Sequence, residues 1–384
     1  MIRQAWTLLA WLQCVALLAV VRRLAWSVLN RRALADCRHA DIAERVTVIV
    51  PVLNEQARLA PCLEGLIQSG DEVAEILVVD GGSTDRTAQL VLAYAARDAR
   101  VQLVSAASIP HGWNGKSWGL EAGWQARSRS ASWVLTVDAD VRPSPNMVRT
   151  LLATAQRDNL QAVSLAPIQA LGGDRLSWLL HPAMLTSLVY RFGIPGTTVH
   201  RPAVVLANGQ VMLLHEHLLD GIGGFAAVAT ANAEDVALAR RIVADGRPFG
   251  FFEAREAASV KMYRSGVEVW RGWPRSLALA DGQSRLRTNL QLSLLMLAQG
   301  LPLPICLLKL FGRALPRPLF EVNLALLAVR LGVLAGTRRA YLNRRWWYWL
   351  SPLADLPVLI EIWRRAAKRR HRWRGRTIVV GGLR

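Results

Sequence analysis

The chain has 384 residues, enough for one large domain or two smaller ones. Hydrophobic residues make up 52% of it and the formal net charge is +19, a balance that indicates nucleic acid, an acidic membrane surface or a phosphorylated substrate as partner. Arginines beside apolar segments favour a membrane, no nucleic-acid-binding motif is recognisable, and the four scattered cysteines exclude a disulfide framework and a zinc site.

The first predicted element is the apolar segment 5–20, which Arg22 and Arg23 follow. With the residues behind it, the segment reaches membrane-spanning length if it tilts or keeps these arginines near the interface. A signal peptide is the competing interpretation, but there is no clear small-x-small cleavage site and the basic residues follow the apolar core. We therefore expect residues 1–32 to form a membrane anchor with its basic flank in the cytoplasm.

Strands and helices alternate in the next region, residues 44–288. Helical patterns separate most of the apolar runs, and one helix begins after the acidic pair 234–235 and ends at Gly246. This alternation predicts an α/β domain with a parallel sheet and right-handed crossovers. The apolar runs predict strands at 46–52, 75–80, 101–104, 133–138 and 203–214.

The composition shifts after residue 288. Residues 289–311 and 319–336 are largely apolar and predict two membrane helices within a region that extends over 289–365. Residues 346–363 are also apolar but contain two prolines and two carboxylates, so we expect an interfacial or re-entrant segment there. The alternative is a third spanning helix that places the basic tail, residues 366–384, on the other side of the membrane.

Carboxylates end two of the predicted strands. Asp80 ends one, while Asp138 and Asp140 follow another at spacing i and i+2. The carboxyl ends of parallel strands lie at one edge of a sheet, where ligands bind in open α/β folds. Two hard oxygen ligands this close suit a divalent cation, Mg²⁺ or Mn²⁺, that also carries substrate phosphates. The alternatives are an exposed pair in a turn and, for Asp80, a turn or cap residue.

Two further side chains are candidates for chemistry. Lys116 lies in the glycine-rich HGWNGKSWG, which opens a helix, so its cation suits a phosphate; the alternative is a solvated lysine. Trp113 and Trp118 beside it suit either stacking on a base or sugar or packing in the core. Asp235 precedes a helix and is the candidate general base, with helix capping as the alternative.

Four motifs together resemble the family 2 glycosyltransferases, the inverting GT-A group. They are PVLNE at 51–55, VVDGGSTDRT at 78–87, DAD at 138–140 and AED at 233–235, and the resemblance covers residues 46–260. It implies a Rossmann-like, mostly parallel sheet flanked by helices, a nucleotide-sugar donor and direct displacement with inversion. It further implies that the nucleotide site is lined by Pro51, Asn54, Glu55 and Asp80, that Asp138 and Asp140 bind ribose, diphosphate and metal, and that Asp235 is the base.

The flanking segments narrow the resemblance. The single anchor, GWNGKSWG, the apolar pair near the C-terminus and WRGR at 373–376 are similar to bacterial membrane glycosyltransferases associated with carotenoid and hopanoid pathways. Processive synthases of this family carry QxxRW, whereas this chain has GQSRLR at 282–287, which argues against a processive enzyme. Gln283 and Arg285 in that stretch are candidate contacts for the diphosphate.

These features predict a multi-pass protein of the inner cell membrane, with its catalytic domain in the cytoplasm, that transfers one sugar to a lipid or terpenoid alcohol. One alternative is transfer to a polyprenyl phosphate, which is already an anion and needs no general base. A non-catalytic membrane scaffold with the same fold is the second alternative. The set of Asp80, Asp138, Asp140 and Asp235 speaks against the scaffold.

Overall fold

The structure is a computed structural model, which describes residues 2–37, 40–231, 233–276, 285–366, 370–373 and 376–379. The chain divides into two compact units. The first, called the sheet unit below, contains the described residues of 31–170 and 195–262. The second, called the helical unit, contains the described residues of 1–30, 171–194 and 263–384.

In chain order the strands are β1 (Val46–Val52), β2 (Val73–Asp80), β3 (Val101–Ser105), β4 (Trp133–Val137), β5 (Val141–Pro143), β6 (Ala162–Ala166), β7 (Ile168–Gln169), β8 (Thr197–Val199), β9 (Val211–His215), β10 (Phe249–Glu253), β11 (Ala258–Val260), β12 (Arg370–Trp373) and β13 (Arg376–Val379). The α-helices are α1 (Ile2–Leu29), α2 (Leu59–Ile67), α3 (Thr87–Ala95), α4 (Gly115–Ala126), α5 (Met147–Asp158), α6 (Arg175–Phe192), α7 (Glu216–Gly221), α8 (Glu234–Ala244), α9 (Gly266–Ser276), α10 (Arg285–Leu295), α11 (Pro302–Leu310), α12 (Arg317–Thr337) and α13 (Asp355–Ala366). A π-helical segment covers Met296–Gly300, and 3₁₀ helices cover Pro202–Val204, Phe225–Val228, Arg255–Ala257, Arg338–Ala340 and Trp346–Ala354.

An eight-stranded sheet forms the centre of the sheet unit, in the order β3-β2-β1-β4-β9-β6-β10-β8. Strands β3, β2, β1 and β4 run parallel to one another, and β6 pairs parallel with β10. Strand β9 pairs antiparallel with its neighbours β4 and β6, and β8 pairs antiparallel with β10. Their apolar sequences suit burial between flanking helices, because parallel strands are covered on both faces. The predicted mostly parallel sheet flanked by helices is therefore confirmed.

One predicted strand was too long. We expected a strand over 203–214, but the structure has a 3₁₀ helix at Pro202–Val204 and a strand only from Val211. The intervening turn is held by its own side chains, because the Asn208 amide donates to Gln210 Oε1 at 3.0 Å and Asn208 Oδ1 accepts from the Gln210 N–H at 3.0 Å. Such local bonds compete with strand pairing.

Three of the described helical stretches are long and apolar enough to span a membrane: Arg3–Leu29, Leu286–Leu310 and Arg317–Ala340. Their positions confirm the apolar helices predicted near both ends of the chain. Helices α1 and α12 are joined by a reciprocal amide pair, in which Gln13 and Asn323 donate to each other at 2.8 Å. Paired polar side chains of this kind hold helices together in an apolar environment.

Residues 346–363, predicted to be interfacial, form the 3₁₀ helix Trp346–Ala354 and most of α13. Whether they lie at the interface or cross it stays a prediction, as do the domain boundaries at 32, 44, 288 and 365. Helix α6 belongs to the helical unit although it interrupts the sheet unit in the chain. Nothing in the apolar pattern of residues 171–194 indicated that assignment.

Candidate active site

Three adjacent parallel strands bring the predicted carboxylates to one edge of the sheet. Strand β1 lies between β2 and β4, and Val52 at its end is paired with Asp80 at the end of β2. Asp138 directly follows Val137, the last residue of β4. The sheet order therefore places Asp80 and the Asp138–Asp140 pair at the same edge of the sheet, as the sequence predicts. We call this edge, formed by the carboxyl ends of β1, β2 and β4, the rim.

The loops after β1 and β2 are joined by hydrogen bonds. Asn54, whose φ is +56°, accepts from the N–H of Thr84 at 2.8 Å, and its own N–H donates to Ser83 Oγ at 2.9 Å. Asp80 Oδ1 accepts from the N–H groups of Gly82 and Ser83 at 3.2 and 2.8 Å. Asn54 and Asp80 thus shape the loops that border the rim, and their predicted role in donor binding depends on that shape.

The other two residues of the predicted nucleotide site are more enclosed. Glu55 is buried, and its N–H donates to Thr87 Oγ1 at 2.9 Å. Pro51 lies in β1 and packs against helix α4, because a Cβ added to Gly119 of that helix would come within 3.2 Å of the proline Cβ. Close packing at Gly119 fixes the approach of α4, which carries Lys116, to the sheet.

Lys116 is at the centre of the site. Its ammonium pairs with Asp138 Oδ1 at 2.7 Å and Glu234 Oε1 at 2.9 Å. Asn114 caps the helix by accepting from the Lys116 N–H at 3.0 Å, and the Asn114 amide donates to the carbonyl of Ala231 at 2.9 Å. The glycine-rich segment therefore places the lysine between the end of β4 and the start of α8.

Asp235 lies beside this lysine and is held by backbone donors. Its two carboxylate oxygens accept from the N–H groups of Gly209 and Val236 at 2.7 and 2.8 Å. A Cβ on Gly209 would lie 3.0 Å from the Asp235 Cβ and 3.1 Å from Lys116 Nζ. Only glycine fits position 209 without displacing one of these two side chains. We call Asp138, Asp140, Glu234, Asp235 and Lys116 together the carboxylate cluster.

The electrostatics of the cluster reflect an excess of carboxylates. Burial raises the pKa of Asp235 to about 6, with a further contribution from Glu234. Burial also raises the pKa of Asp140 to about 7, with the Asp138 charge acting in the same direction. Burial opposes the charge of Lys116, but Asp138, Glu234 and Asp235 outweigh it and raise the lysine pKa above its ordinary value. The lysine is therefore a permanent cation, whereas two of its neighbours retain protons more readily than usual.

The local position of Asp235 favours its charged form, because a helix N-terminus stabilises a carboxylate. Burial and the neighbouring Glu234 outweigh Lys116 and the two backbone hydrogen bonds, so the net shift of the pKa is upward. The result is a carboxylate of increased basicity.

The residues at the rim fit a divalent cation. Asp140 Oδ1 is buried and has no hydrogen-bond partner among the described residues, and the Asp138 side chain keeps 26% of its surface exposed. No group of three or more His, Cys, Asp or Glu side chains in the described part of the chain has the spacing of a complete metal site. Two carboxylates with the other ligands from substrate phosphates are a common arrangement for Mg²⁺.

The remaining predicted contacts are less defined. Trp113 and Trp118 meet edge to face with centroids 5.3 Å apart, and Trp118 Nε1 is buried without a hydrogen-bond partner in the described residues. Gln283 lies outside the described residues, and Arg285 is described only as the first residue of α10. Their contact with a diphosphate stays a prediction.

Sequence reasoning missed two residues of the site. Glu234 was considered only as a helix cap, yet it shares Lys116 with Asp138. Gly209 was considered only as part of a strand, although Asn208-Gly209 is a turn signal that the sequence does show. Neither contact follows from local pattern, because both depend on where β9 and α8 meet α4.

Models of two related protein families match the chain. The model described as "Glycosyl transferase family 2" matches residues 47–211, and the model described as "Glycosyl transferase family group 2" matches residues 133–360. Together they cover both units.

Two relatives and one solved structure illustrate the similarity. The chain is 24% identical over 266 residues to 4,4'-diaponeurosporenoate glycosyltransferase of Staphylococcus haemolyticus, covering 67% of this chain and 68% of the relative. It is 35% identical over 113 residues to undecaprenyl-phosphate 4-deoxy-4-formamido-L-arabinose transferase of Pseudomonas paraeruginosa, covering 29% of this chain and 32% of the relative.

The solved structure is the mannosyltransferase PcManGT of Pyrobaculum calidifontis in complex with GDP-Man and Mn²⁺. It superposes with a TM-score of 0.56 at 18% identity and covers 93% of this chain and 98% of that one, which establishes the shared fold. In two other bacterial glycosyltransferases the match spans 38% and 66% of their own length. The similarity therefore covers less than two thirds of several relatives.

Proposed function

The chain belongs to the family 2 glycosyltransferases, and we propose that it transfers a single sugar from a nucleotide-sugar donor to a hydrophobic alcohol, with inversion at the transferred carbon. The observation that carries this proposal is the position of Asp235. This half-buried carboxylate with a raised pKa lies in the same cluster as the Asp138–Asp140 pair, and Lys116 pairs with Asp138 and with Glu234, the residue directly before Asp235. The proposed base, Asp235, thus lies next to the proposed diphosphate site at Asp138 and Asp140.

In the proposed reaction the acceptor oxygen attacks the anomeric carbon of the donor sugar as its proton passes to Asp235. The bond from that carbon to the diphosphate oxygen breaks on the opposite face, and the nucleoside diphosphate leaves with the bonding electron pair. Inversion follows from the single displacement. A carboxylate whose pKa is about 6 is ionised at neutral pH and more basic than an ordinary aspartate, which suits it to this proton transfer.

Lys116 supplies a positive charge of the protein itself to the leaving diphosphate. Its ammonium already bridges Asp138 and Glu234, so a diphosphate that enters beside Asp138 meets a fixed positive charge. Fixed charges aimed at a developing anion stabilise it without reorganisation. We assign donor binding to the rim residues Pro51, Asn54, Glu55, Asp80, Lys116 and Asp138.

Asp138 and Asp140 would hold Mg²⁺ or Mn²⁺. The unpartnered oxygen of Asp140 and the excess of carboxylates support this assignment, as does the Mn²⁺ in the mannosyltransferase of the same fold. A bound divalent ion neutralises charge on a leaving diphosphate.

A neutral acceptor suits the cluster better than an anionic one. Relatives are named for diaponeurosporenoate and for undecaprenyl phosphate, so both terpenoid and polyprenyl phosphate acceptors are represented among them. A hydroxyl acceptor needs the base that Asp235 provides, whereas a polyprenyl phosphate is already an anion and needs none. We therefore place the chain with the lipid and terpenoid glycosyltransferases of the carotenoid and hopanoid type.

Three apolar helices support membrane association. We propose a multi-pass protein of the inner membrane with the sheet unit in the cytoplasm, where nucleotide sugars are made. The basic flank formed by Arg22, Arg23, Arg31 and Arg32 supports this orientation, because positive residues favour the cytoplasmic side.

A reconstituted transfer assay tests the proposal. The full chain in lipid vesicles is incubated with labelled nucleotide sugars and Mg²⁺ or Mn²⁺, and with either a polyprenol or the corresponding polyprenyl phosphate. We expect a glycolipid from the alcohol, with the anomeric configuration opposite to that of the donor by NMR. Product only from the phosphate would refute the acceptor class, and a retained configuration would refute direct displacement.

A further inference from the structure

A second polar cluster lies in the helical unit, around Asp355. Arg330 Nε donates to Asp355 Oδ2 at 2.8 Å and its Nη2 to Oδ1 at 3.0 Å, while the Gln299 amide donates to the same Oδ1 at 2.8 Å. Ser351 Oγ accepts from Arg330 Nη2 at 2.9 Å. Arg330 and Asp355 are each only 1% exposed. Charged groups buried this deeply persist only where their hydrogen bonds are made.

Three polar atoms around this ion pair are left without a partner. Arg330 Nη1, Gln299 Oε1 and Tyr190 Oη are buried and make no hydrogen bond to any described residue. Tyr190 lies in α6 two turns after Ala183, whose carbonyl accepts from the Gln299 amide at 2.8 Å, and the charges of Arg330 and Asp355 both act on its hydroxyl. Buried polar groups without a partner are destabilising, so three of them around one carboxylate indicate a site for a further polar group.

The three atoms define what that group is. Arg330 Nη1 is a donor and needs an acceptor, Gln299 Oε1 is an acceptor and needs a donor, and a tyrosine hydroxyl can do either. A phosphate monoester offers mainly acceptors and is repelled by Asp355, and an ammonium offers donors only. A hydroxyl offers a proton and lone pairs without adding charge.

We propose that Arg330, Gln299 and Tyr190 form a binding site for a hydroxyl group, supplied either by a water molecule or by a membrane-soluble alcohol. Helices α6, α12 and α13 and the π-helical segment each contribute a side chain to it or to the ion pair. The π-helical turn places Gln299 toward Asp355, and such turns often occur at functional sites. The site does not depend on the transfer reaction proposed above.

The test uses Tyr190→Phe in the full chain, purified in detergent, with thermal unfolding as the readout. Tyr348→Phe is the matched control, because the Tyr348 hydroxyl has protein partners at Leu334 O (2.6 Å) and Thr337 Oγ1 (2.9 Å). If a hydroxyl fills the site, Tyr190→Phe loses a hydrogen bond and lowers Tm by about 2 °C, as the control does. An unchanged or higher Tm overturns the proposal, because removing a truly unpaired hydroxyl costs nothing.

Two ligands then identify the source of the hydroxyl. Farnesol and farnesyl phosphate are titrated into the wild type and Tyr190→Phe. If the occupant is an alcohol, farnesol raises the Tm of the wild type and not that of the variant. If the occupant is water, farnesol has no effect that depends on Tyr190 while the variant keeps its lower Tm. Stabilisation by farnesyl phosphate that is lost in Tyr190→Phe overturns the assignment to a hydroxyl.

Discussion

Two charge clusters among the described residues, one half-buried and one fully buried, differ in their balance. In the carboxylate cluster of the sheet unit, one lysine faces four carboxylates. In the helical unit, Arg330 and Asp355 face each other one to one, with two hydrogen bonds between them. A balanced pair needs no further charge, whereas an unbalanced cluster attracts cations and protons. We therefore expect the carboxylate cluster to take charged ligands, and the Arg330–Asp355 pair to support structure beside the neutral group proposed above.

The same difference appears in proton affinity. Burial and neighbouring carboxylates raise the pKa of Asp140 to about 7 and that of Asp235 to about 6. Protons are thus one means of relieving the excess negative charge in the sheet unit, and a divalent cation is another. Variants that change the charge balance in each cluster test this difference.

Breaking the balanced pair will cost stability. Arg330→Met leaves Asp355 buried without its cation and is expected to destabilise the protein by about 3–5 kcal/mol. The double variant Arg330→Met/Asp355→Leu removes both charges and is expected to recover most of that loss. Thermal unfolding of the full chain in detergent measures both. A single variant as stable as the wild type would show that the pair is not the structural element described here.

Removing a carboxylate from the rim will cost activity instead. Asp138→Asn loses the charge that pairs with Lys116 and serves the proposed cation, so kcat/KM is expected to fall by at least about 100-fold with little change in Tm. Asp98→Asn is the control, because Asp98 is in the same unit but pairs with Arg100. Initial transfer rates are measured for both variants, and equal rates would contradict the assignment of Asp138 to the donor and cation site.

Lys116 connects the two halves of the site. Lys116→Met removes the cation from between Asp138 and Glu234, and activity is expected to fall by about 10–100-fold. Lys116→Arg keeps the charge with a different shape and should retain more activity than the methionine variant. Rates measured at saturating donor separate this effect from weaker donor binding. Equal activity in both variants would show that the charge at this position is irrelevant.

The pH dependence gives the smallest effect. A base must be ionised to accept a proton, and burial raises the pKa of Asp235 to about 6. Activity is therefore expected to rise with pH through about 6, with a tenfold loss per unit well below that value. Glu234→Gln removes a charge that raises this pKa, so the midpoint should move to lower pH. A wild-type profile that is flat from pH 5 to 7 would argue against Asp235 as the titrating base.

The position of the rim was predictable from the sequence, because it depends on local features. Apolar runs that end in Asp80 and Asp138 identify buried strands and the ends at which their carboxylates lie. Parallel pairing then brings those ends together. The predicted strand over 203–214 failed for an equally local reason, since the turn at Asn208–Gln210 uses its own side chains.

The charge state of the site was not predictable in the same way. Lys116 and Glu234 lie far apart in the chain. Their ion pair forms where the Asn114 amide, at the start of α4, donates to the carbonyl of Ala231, in the segment before α8. The upward pKa shift of Asp235 has the same origin, because burial is set by tertiary packing whereas the helix-terminus effect is local. The Arg330–Asp355 pair was missed because both residues lie in segments predicted only from their apolar pattern.

Asp235→Asn separates proton transfer from donor binding. The substitution keeps the size of the side chain but removes the base, in a full chain reconstituted with a nucleotide-sugar donor and a polyprenol acceptor. We expect kcat to fall by about 10²–10⁴-fold, while the affinity for the nucleoside diphosphate, measured by calorimetry, stays within a few-fold of the wild type. Transfer at the wild-type rate by Asp235→Asn would show that Asp235 is not the base.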